Sequence, residues 1–235
     1  GNSMVKLTID GIQVEAEKGT SILHAAESVG IEVPTLCYIK DLLPDGSCRM
    51  CMVEIESRGR TKMETACTAQ VAEGLVVTTN SEKVRNARRN ILDMLLSNHK
   101  TDCFSCPSNG DCKLQELCFE YGIERTTYSG EQTELPIDDS NKFFTYNPNL
   151  CILCHRCVNT CHKIVGRGAI DTMERGFDSA IGTPFHIDWA DTNCESCGNC
   201  VQACPTGALT MKRRKNYRKY QIDKKVLTTC PHCAT

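Results

Sequence analysis

Eighteen of the 235 residues are cysteine, and most stand in runs at intervals of three. Thiols at i, i+3 and i+6 suit one metal centre better than a network of distant staples. The chain is also too long and too charged for a small disulfide-stapled secreted domain. Soft, anionic sulfur donors match iron and offset the charge of an iron–sulfur cluster. Four ligands close each cluster, so the sets should come in fours.

Two runs, CILCHRCVNTC and CESCGNCVQACP, share the spacing C-x2-C-x2-C-x3-C. Three cysteines of such a run wrap one 4Fe–4S centre, and the fourth reaches across to the other. Cys151, Cys154, Cys157 and Cys204 are therefore expected to hold one cluster. Cys161, Cys194, Cys197 and Cys200 are expected to hold the second. Zinc would favour paired C-x2-C ligands and would leave two cysteines of each run unused. The first run continues Cys161-His162 where the second has Cys204-Pro205, a departure that touches no ligand.

Nearer the N-terminus, Cys37, Cys48, Cys51 and Cys67 are spaced C-x10-C-x2-C-x15-C. This is a variant of the plant-type 2Fe–2S pattern with a longer first gap, and Gly46 and Ser47 offer a flexible, donor-rich approach to the sulfurs. Between these groups lie His99, Cys103, Cys106 and Cys112, spaced H-x3-C-x2-C-x5-C. A lone histidine is seldom a ligand. This one stands four residues before a three-cysteine loop that lacks a fourth donor, and is expected to complete a one-His, three-Cys 4Fe–4S site. The competing reading makes Cys118 the fourth ligand and leaves His99 a hydrogen-bonding role. Cys118 lies in the helical stretch LQELCFEYG and reads as a buried apolar thiol. Fifteen cysteines and one histidine fill four sites, and Cys118, Cys230 and Cys233 are left over.

The elements that must position these residues are legible in outline. Val5, Leu7 and Ile9 alternate with polar residues, Asp10-Gly11 signals a hairpin, and Ile12 and Val14 resume the alternation. Thr20 or Ser21 can cap a short helix through Val29, stopped by Gly30. Strands are expected at Cys51–Glu56, Lys62–Ala66 and Leu75–Thr78. Residues 81–98 read as a helix capped by Ser81, with an apolar stripe through Val84, Ala87 or Arg88, Ile91, Leu92 and Leu95. That helix should deliver His99 at its end.

The expected fold class is α+β. A β-rich 2Fe–2S domain over 4–80 is followed by a small helical 4Fe–4S module over 81–125. A polar, proline-containing linker spans 126–147, a two-cluster ferredoxin-like domain 148–212, and a tail with CPHC 213–235. The order hairpin, helix, further strands is consistent with a β-grasp.

A formal charge of -2 gives no global field for nucleic acid or membrane surfaces. The basic run KRRKNYRK is read as a solvated face. No apolar run approaches a membrane span. The first residues lack the basic and apolar regions of a secretory signal, so a reducing, cytoplasmic location is expected. No phosphate-cradling glycine loop is present, and His24, His155, His162 and His186 lack a nucleophile or carboxylate arrangement. No catalytic residue is assigned.

The ordered series VPTLCY, GSCRMCMVEIE, ACTAQV, LLSNHKTDCFSCPSNGDCKLQ and the two ferredoxin runs resembles one family. It is the N-terminal electron-transfer region shared by the 75-kDa-type subunit of respiratory complex I, iron-only hydrogenases and NAD-linked formate dehydrogenases. The resemblance covers roughly residues 4–210 and meets every ligand position named above. It implies a β-grasp domain, a one-His, three-Cys module and a two-cluster domain. It also implies a flavoprotein partner that handles NAD(H) or NADP(H), with ferredoxin and a further catalytic subunit as candidate partners in an electron-bifurcating complex. VLTTCPHCAT resembles the start of the molybdopterin domain of formate dehydrogenases. Two readings follow: a stand-alone relay subunit, or the N-terminal part of a molybdenum or tungsten enzyme. In either, Cys230 and Cys233 would hold zinc or share a cluster with another chain, since two ligands do not complete a site.

Overall fold

The structure is a computed structural model, and it describes residues 3–213, 222–224 and 226–229. Cys230, Cys233 and most of the basic run lie outside the described residues.

Strands β1 (Met4–Ile9) and β2 (Ile12–Glu17) form a hairpin with Ile9 opposite Ile12. Asp10 and Gly11 both adopt positive φ, 47° and 82°, as a two-residue turn matched to strand twist requires. The Asp10 carboxylate accepts the Thr79 N–H at 2.7 Å and also the Thr79 hydroxyl. Helix α1 (Ile22–Ser28) is capped by Ser21, whose Oγ accepts the His24 N–H. Strands β3 (Met52–Ser57), β4 (Arg60–Thr65) and β5 (Val76–Thr78) complete a five-stranded mixed sheet of order β2-β1-β5-β3-β4, with β1 and β5 parallel. Leu7, Ile9, Val14, Val53, Ile55 and Val77 point from it onto Ile22, Ala25 and Ala26 of α1. Each large aliphatic side chain buried there contributes about 1.5–3 kcal/mol.

Helix α2 (Glu82–Ser97) is capped by Ser81, which accepts the Val84 N–H at 3.2 Å. Its buried stripe is Val84, Arg88, Leu92 and Leu96, rotated from the expected one, with Ile91 and Leu95 only half-buried. Arg88 takes the place of an aliphatic residue because its guanidinium finds acceptors: the Tyr121 Oη at 3.0 Å and the Met52 carbonyl at 2.8 Å. Helix α3 (Lys113–Glu120) packs Leu114, Leu117 and Cys118 against α2.

Residues 126–147 carry no helix or strand before β6 (Phe144–Tyr146), yet they are tied down. Thr126 and Thr127 bond Asp93, Thr133 bonds Asn98, and Leu135 exchanges two hydrogen bonds with the Asn149 side chain. The remainder is built of short pieces: α4 (Arg156–Asn159), a π-helical turn (Thr160–Ile164), the hairpin β7 (Asp171–Met173) and β8 (Ala180–Gly182), α5 (Asn199–Ala203), and β9 (Leu209–Met211) paired with β6. No helix of the described residues is long and apolar enough to cross a membrane.

Two cores gather residues far apart in sequence. One core joins Leu36, Cys37, Cys48 and Met50 to Leu92, Leu96, Leu114 and Leu117, and to Ile152 and Cys154. Another gathers Cys106 beside Cys151, Cys157, Cys161, Cys194 and Cys204.

Candidate metal centres

Cys37, Cys48 and Cys51 come from the loop before β3, and Cys67 from the turn after β4; all four are buried. Gly46 turns this loop at φ 64°, and a Cβ there would stand 3.2 Å from the Thr68 methyl. The thiols fall into two pairs. A hydrogen bond from the Cys48 thiol lowers Cys37 to about 5, and one from Cys67 lowers Cys51 to about 7; the donors Cys48 and Cys67 are pushed up by the same bonds and by burial. Hydrogen bonding within each pair thus favours the thiolate of Cys37 and of Cys51, the state in which sulfur binds metal. Met50 N–H also points at Cys48 Sγ, at 3.4 Å.

The ten-residue gap before Cys48 has a structural use. Its Asp45 accepts the Asn159 amide at 2.6 Å and lies 3.7 Å from His155 and 3.9 Å from Lys163. The loop therefore reaches across to α4 and the turn that follows it.

In the middle set, His99, Cys103 and Cys112 line a cavity of about 380 Å³. His99 is buried, its Nδ1 has no hydrogen-bond partner, and burial lowers it from 6.5 to about 4. A neutral imidazole with an unspent nitrogen is what a ligand histidine requires. The third thiol on this cavity is Cys118, pushed up to about 12 by burial. Cys106 stands one turn from Cys103 but does not line the cavity. Its Sγ rests against Gly207, where a Cβ would stand 2.6 Å from the sulfur.

The two long runs fold alike. Leu153 and His155 in the first, Ser196 and Gly198 in the second, take positive φ at matching positions. This turns the Leu153 and Ser196 N–H groups onto Cys151 and Cys194 Sγ, each at 3.4 Å. Cys151, Cys154, Cys157 and Cys204 surround one enclosed cavity, and Cys161, Cys194, Cys197 and Cys200 another, so the last cysteine of each run faces the cavity of the other run. Burial pushes Cys151 to about 11 and Cys154 and Cys200 to about 12, so these thiols give up their protons only to a cation that replaces the charge. Among the described residues, no three His, Cys, Asp or Glu side chains converge as the ligands of a single ion would. The thiols of the two long runs ring volumes instead, and four soft donors around one volume fit a cluster.

Three aromatic rings line the two cavities. Trp189 meets Phe144 and Tyr146 edge to face, with centroids 5.4 and 5.1 Å apart. Phe144 and Trp189 face the second cavity and Tyr146 the first. The Tyr146 hydroxyl is buried beside Cys151, whose ionisation it favours.

Three residues with a part in these sites carry no sequence signal: Tyr146, Arg156 and Gly207. The other histidines have structural partners: Tyr38 for His24, Asp45 for His155, the Ile170 carbonyl for His162, and Glu174 for His186.

Residues 2–82 match the family described as 2Fe-2S iron-sulfur cluster binding domain. Residues 88–127 match the NADH-ubiquinone oxidoreductase-G iron-sulfur binding region, and 143–210 the ferredoxin-like domain of NADH-quinone oxidoreductase subunit 3. An NADH-quinone oxidoreductase subunit of Rhizobium meliloti (strain 1021) is 41% identical over 235 residues, 99% of this chain. The NADPH-Fe(3+) oxidoreductase subunit alpha of Geobacter sulfurreducens is 42% identical over 232 residues, again 99% of this chain. The chain spans 27% of the length of each of these relatives. A chain in the crystal structure of an NAD+-reducing [NiFe]-hydrogenase in the H2-reduced state superposes with a TM-score of 0.81 and 30% identity, covering 89% of this chain and 88% of that one.

Proposed function

Because the chain belongs to the iron–sulfur family found in NADH-quinone oxidoreductases and NAD(P)-linked hydrogenases, we propose that it is an electron-relay subunit carrying one 2Fe–2S and three 4Fe–4S clusters. Cys37, Cys48, Cys51 and Cys67 would hold the 2Fe–2S cluster. His99, Cys103, Cys106 and Cys112 would hold the first 4Fe–4S cluster. Cys151, Cys154, Cys157 and Cys204 would hold the next, and Cys161, Cys194, Cys197 and Cys200 the last. Bound there, each cluster supplies one-electron uptake and release.

The observation that carries this reading is the sharing of cores between ligand sets: Cys37 and Cys48 pack in one core with Cys154, and Cys106 in one with Cys151 and Cys204. Side chains that hold neighbouring centres in common packing keep their separations fixed and exclude water from the space between them. The protein sets the environment of each centre through ligand type, N–H groups aimed at sulfur, and burial. His99 supplies a neutral donor where the other sets supply only thiolates. The partition into 4–80, 81–125 and 148–212, with 126–147 between, then follows the ligand sets and not the packing.

The partner in this reading is a flavoprotein that exchanges electrons with NAD(H) or NADP(H), with ferredoxin or a further catalytic subunit as the other terminus. Iron and sulfide analysis of the full chain tests the content: about 14 iron atoms per chain are expected, and a colourless zinc protein overturns the proposal. Reduction by NAD(P)H only when the flavoprotein is present tests the relay.

A further inference from the structure

Arg156 stands on α4 between Cys154 and Cys157, and its guanidinium is spent on two main-chain carbonyls. Nε donates to the Ala203 carbonyl at 2.6 Å, and Ala203 is the residue before Cys204. Nη1 donates to the Tyr38 carbonyl, also at 2.6 Å, and Tyr38 is the residue after Cys37. One side chain therefore joins the backbone beside a ligand of the 2Fe–2S set to the backbone beside a ligand of the adjoining 4Fe–4S set. The two bonded carbonyls belong to residues 165 positions apart by number, brought together through a third residue that lies between two further ligands.

We propose that Arg156 is the positioning residue that fixes the 2Fe–2S centre against the Cys151, Cys154, Cys157 and Cys204 centre, and so sets the rate of electron exchange between them. The proposal rests on the cluster assignment above. Only arginine suits the role. Its planar fork offers donors in fixed directions, so two carbonyls on opposite sides are held at once; a lysine ammonium keeps the charge but not the fork. The Asp45 contacts with Asn159, His155 and Lys163 lie on the same interface but involve flexible, more exposed side chains. They bring the loop down without constraining the backbone beside a ligand. In the exchange one electron leaves the reduced centre and reduces the other, and no bond forms or breaks.

The test compares the full chain, wild type, Arg156→Lys and Asp45→Ala, after cluster loading. Iron content and the spectrum of each isolated centre report on the cluster assignment. Spin–spin interaction between the two centres in the fully reduced chain, and the rate of electron equilibration after photoreduction, report on Arg156. Arg156→Lys is expected to keep its iron and the potentials of both centres, while the interaction weakens and broadens and equilibration slows severalfold. Asp45→Ala is expected to leave both near wild type. An Arg156→Lys chain with full iron and unchanged interaction and rate overturns the proposal, as does loss of interaction in Asp45→Ala alone. If the lysine variant loses a cluster, Arg156→Gln, which keeps a donor for one carbonyl, is read by the same two measurements. A wild-type chain without clusters overturns the assignment and this proposal together.

Discussion

Cys106 is packed against the bare Cα of Gly207: a Cβ at that position would lie 2.6 Å from the cysteine sulfur. Gly207 has an ordinary φ, so its lack of a side chain serves close approach and not backbone freedom. Gly207→Ala should displace Cys106 and cost about 1–3 kcal/mol of stability by overpacking. The expected outcome is a lowered thermal midpoint, with impaired loading of the centre served by His99, Cys103, Cys106 and Cys112. Unchanged stability and full loading would show that the sulfur moves freely.

The cavity of the middle set is lined by Cys118 and not by Cys106, and substitution separates these two thiols as ligands beside His99, Cys103 and Cys112. Cys106→Ser should remove or convert the middle cluster, lowering iron by about 4 atoms per chain. Cys118→Ser should keep the iron and cost about 1–3 kcal/mol, because a hydroxyl replaces a thiol in an apolar setting on α3. The reverse pattern of iron contents would assign the ligand to Cys118.

His99 makes the cluster-free chain sensitive to acid. Burial lowers its imidazole from 6.5 to about 4, so between these values the unfolded chain binds a proton that the folded chain does not. The stabilising contribution is complete above pH 6.5 and declines as pH falls toward 4, by about 3 kcal/mol in all. Urea unfolding across that range should show the decline, and His99→Gln should flatten it. An equal slope in both chains would exclude His99 as its source.

The buried Tyr146 hydroxyl lies beside Cys151 and can donate to its sulfur. A donor beside a cluster favours the reduced, more negative state and so raises the potential. Tyr146→Phe should lower the potential of the Cys151, Cys154, Cys157 and Cys204 centre by about 1 kcal/mol of differential stabilisation, roughly 40 mV for one electron. A redox titration followed by EPR would find the other centres unmoved.

What the sequence disclosed and what it hid have physical causes. Runs of cysteine at i, i+3 and i+6 bend the chain around one volume whatever surrounds it, so spacing alone predicts a grouping of Cys151 to Cys204, and these thiols line two cavities. Alternation in Val5–Ile9 and the cap at Ser81 act over a few residues and were equally plain. Arg156 and Arg88 bond carbonyl oxygens, which every residue carries, so no pattern announces them. Three-residue strands such as β7 and β8 are too short to display a period. The close approach of Cys106 to Gly207, about a hundred positions away, is a contact that local spacing cannot register.

The core that unites Leu36 and Met50 with Leu92, Leu114 and Ile152 bears on any attempt to harvest this chain for parts. Residues 4–80 look like a portable ferredoxin. Cut free, that piece would present Leu36 and Met50, both wholly covered in the intact chain, as a greasy scar beside its own ligands. A usable miniature would need polar replacements there, or would have to carry α2 and α3 along as its lid.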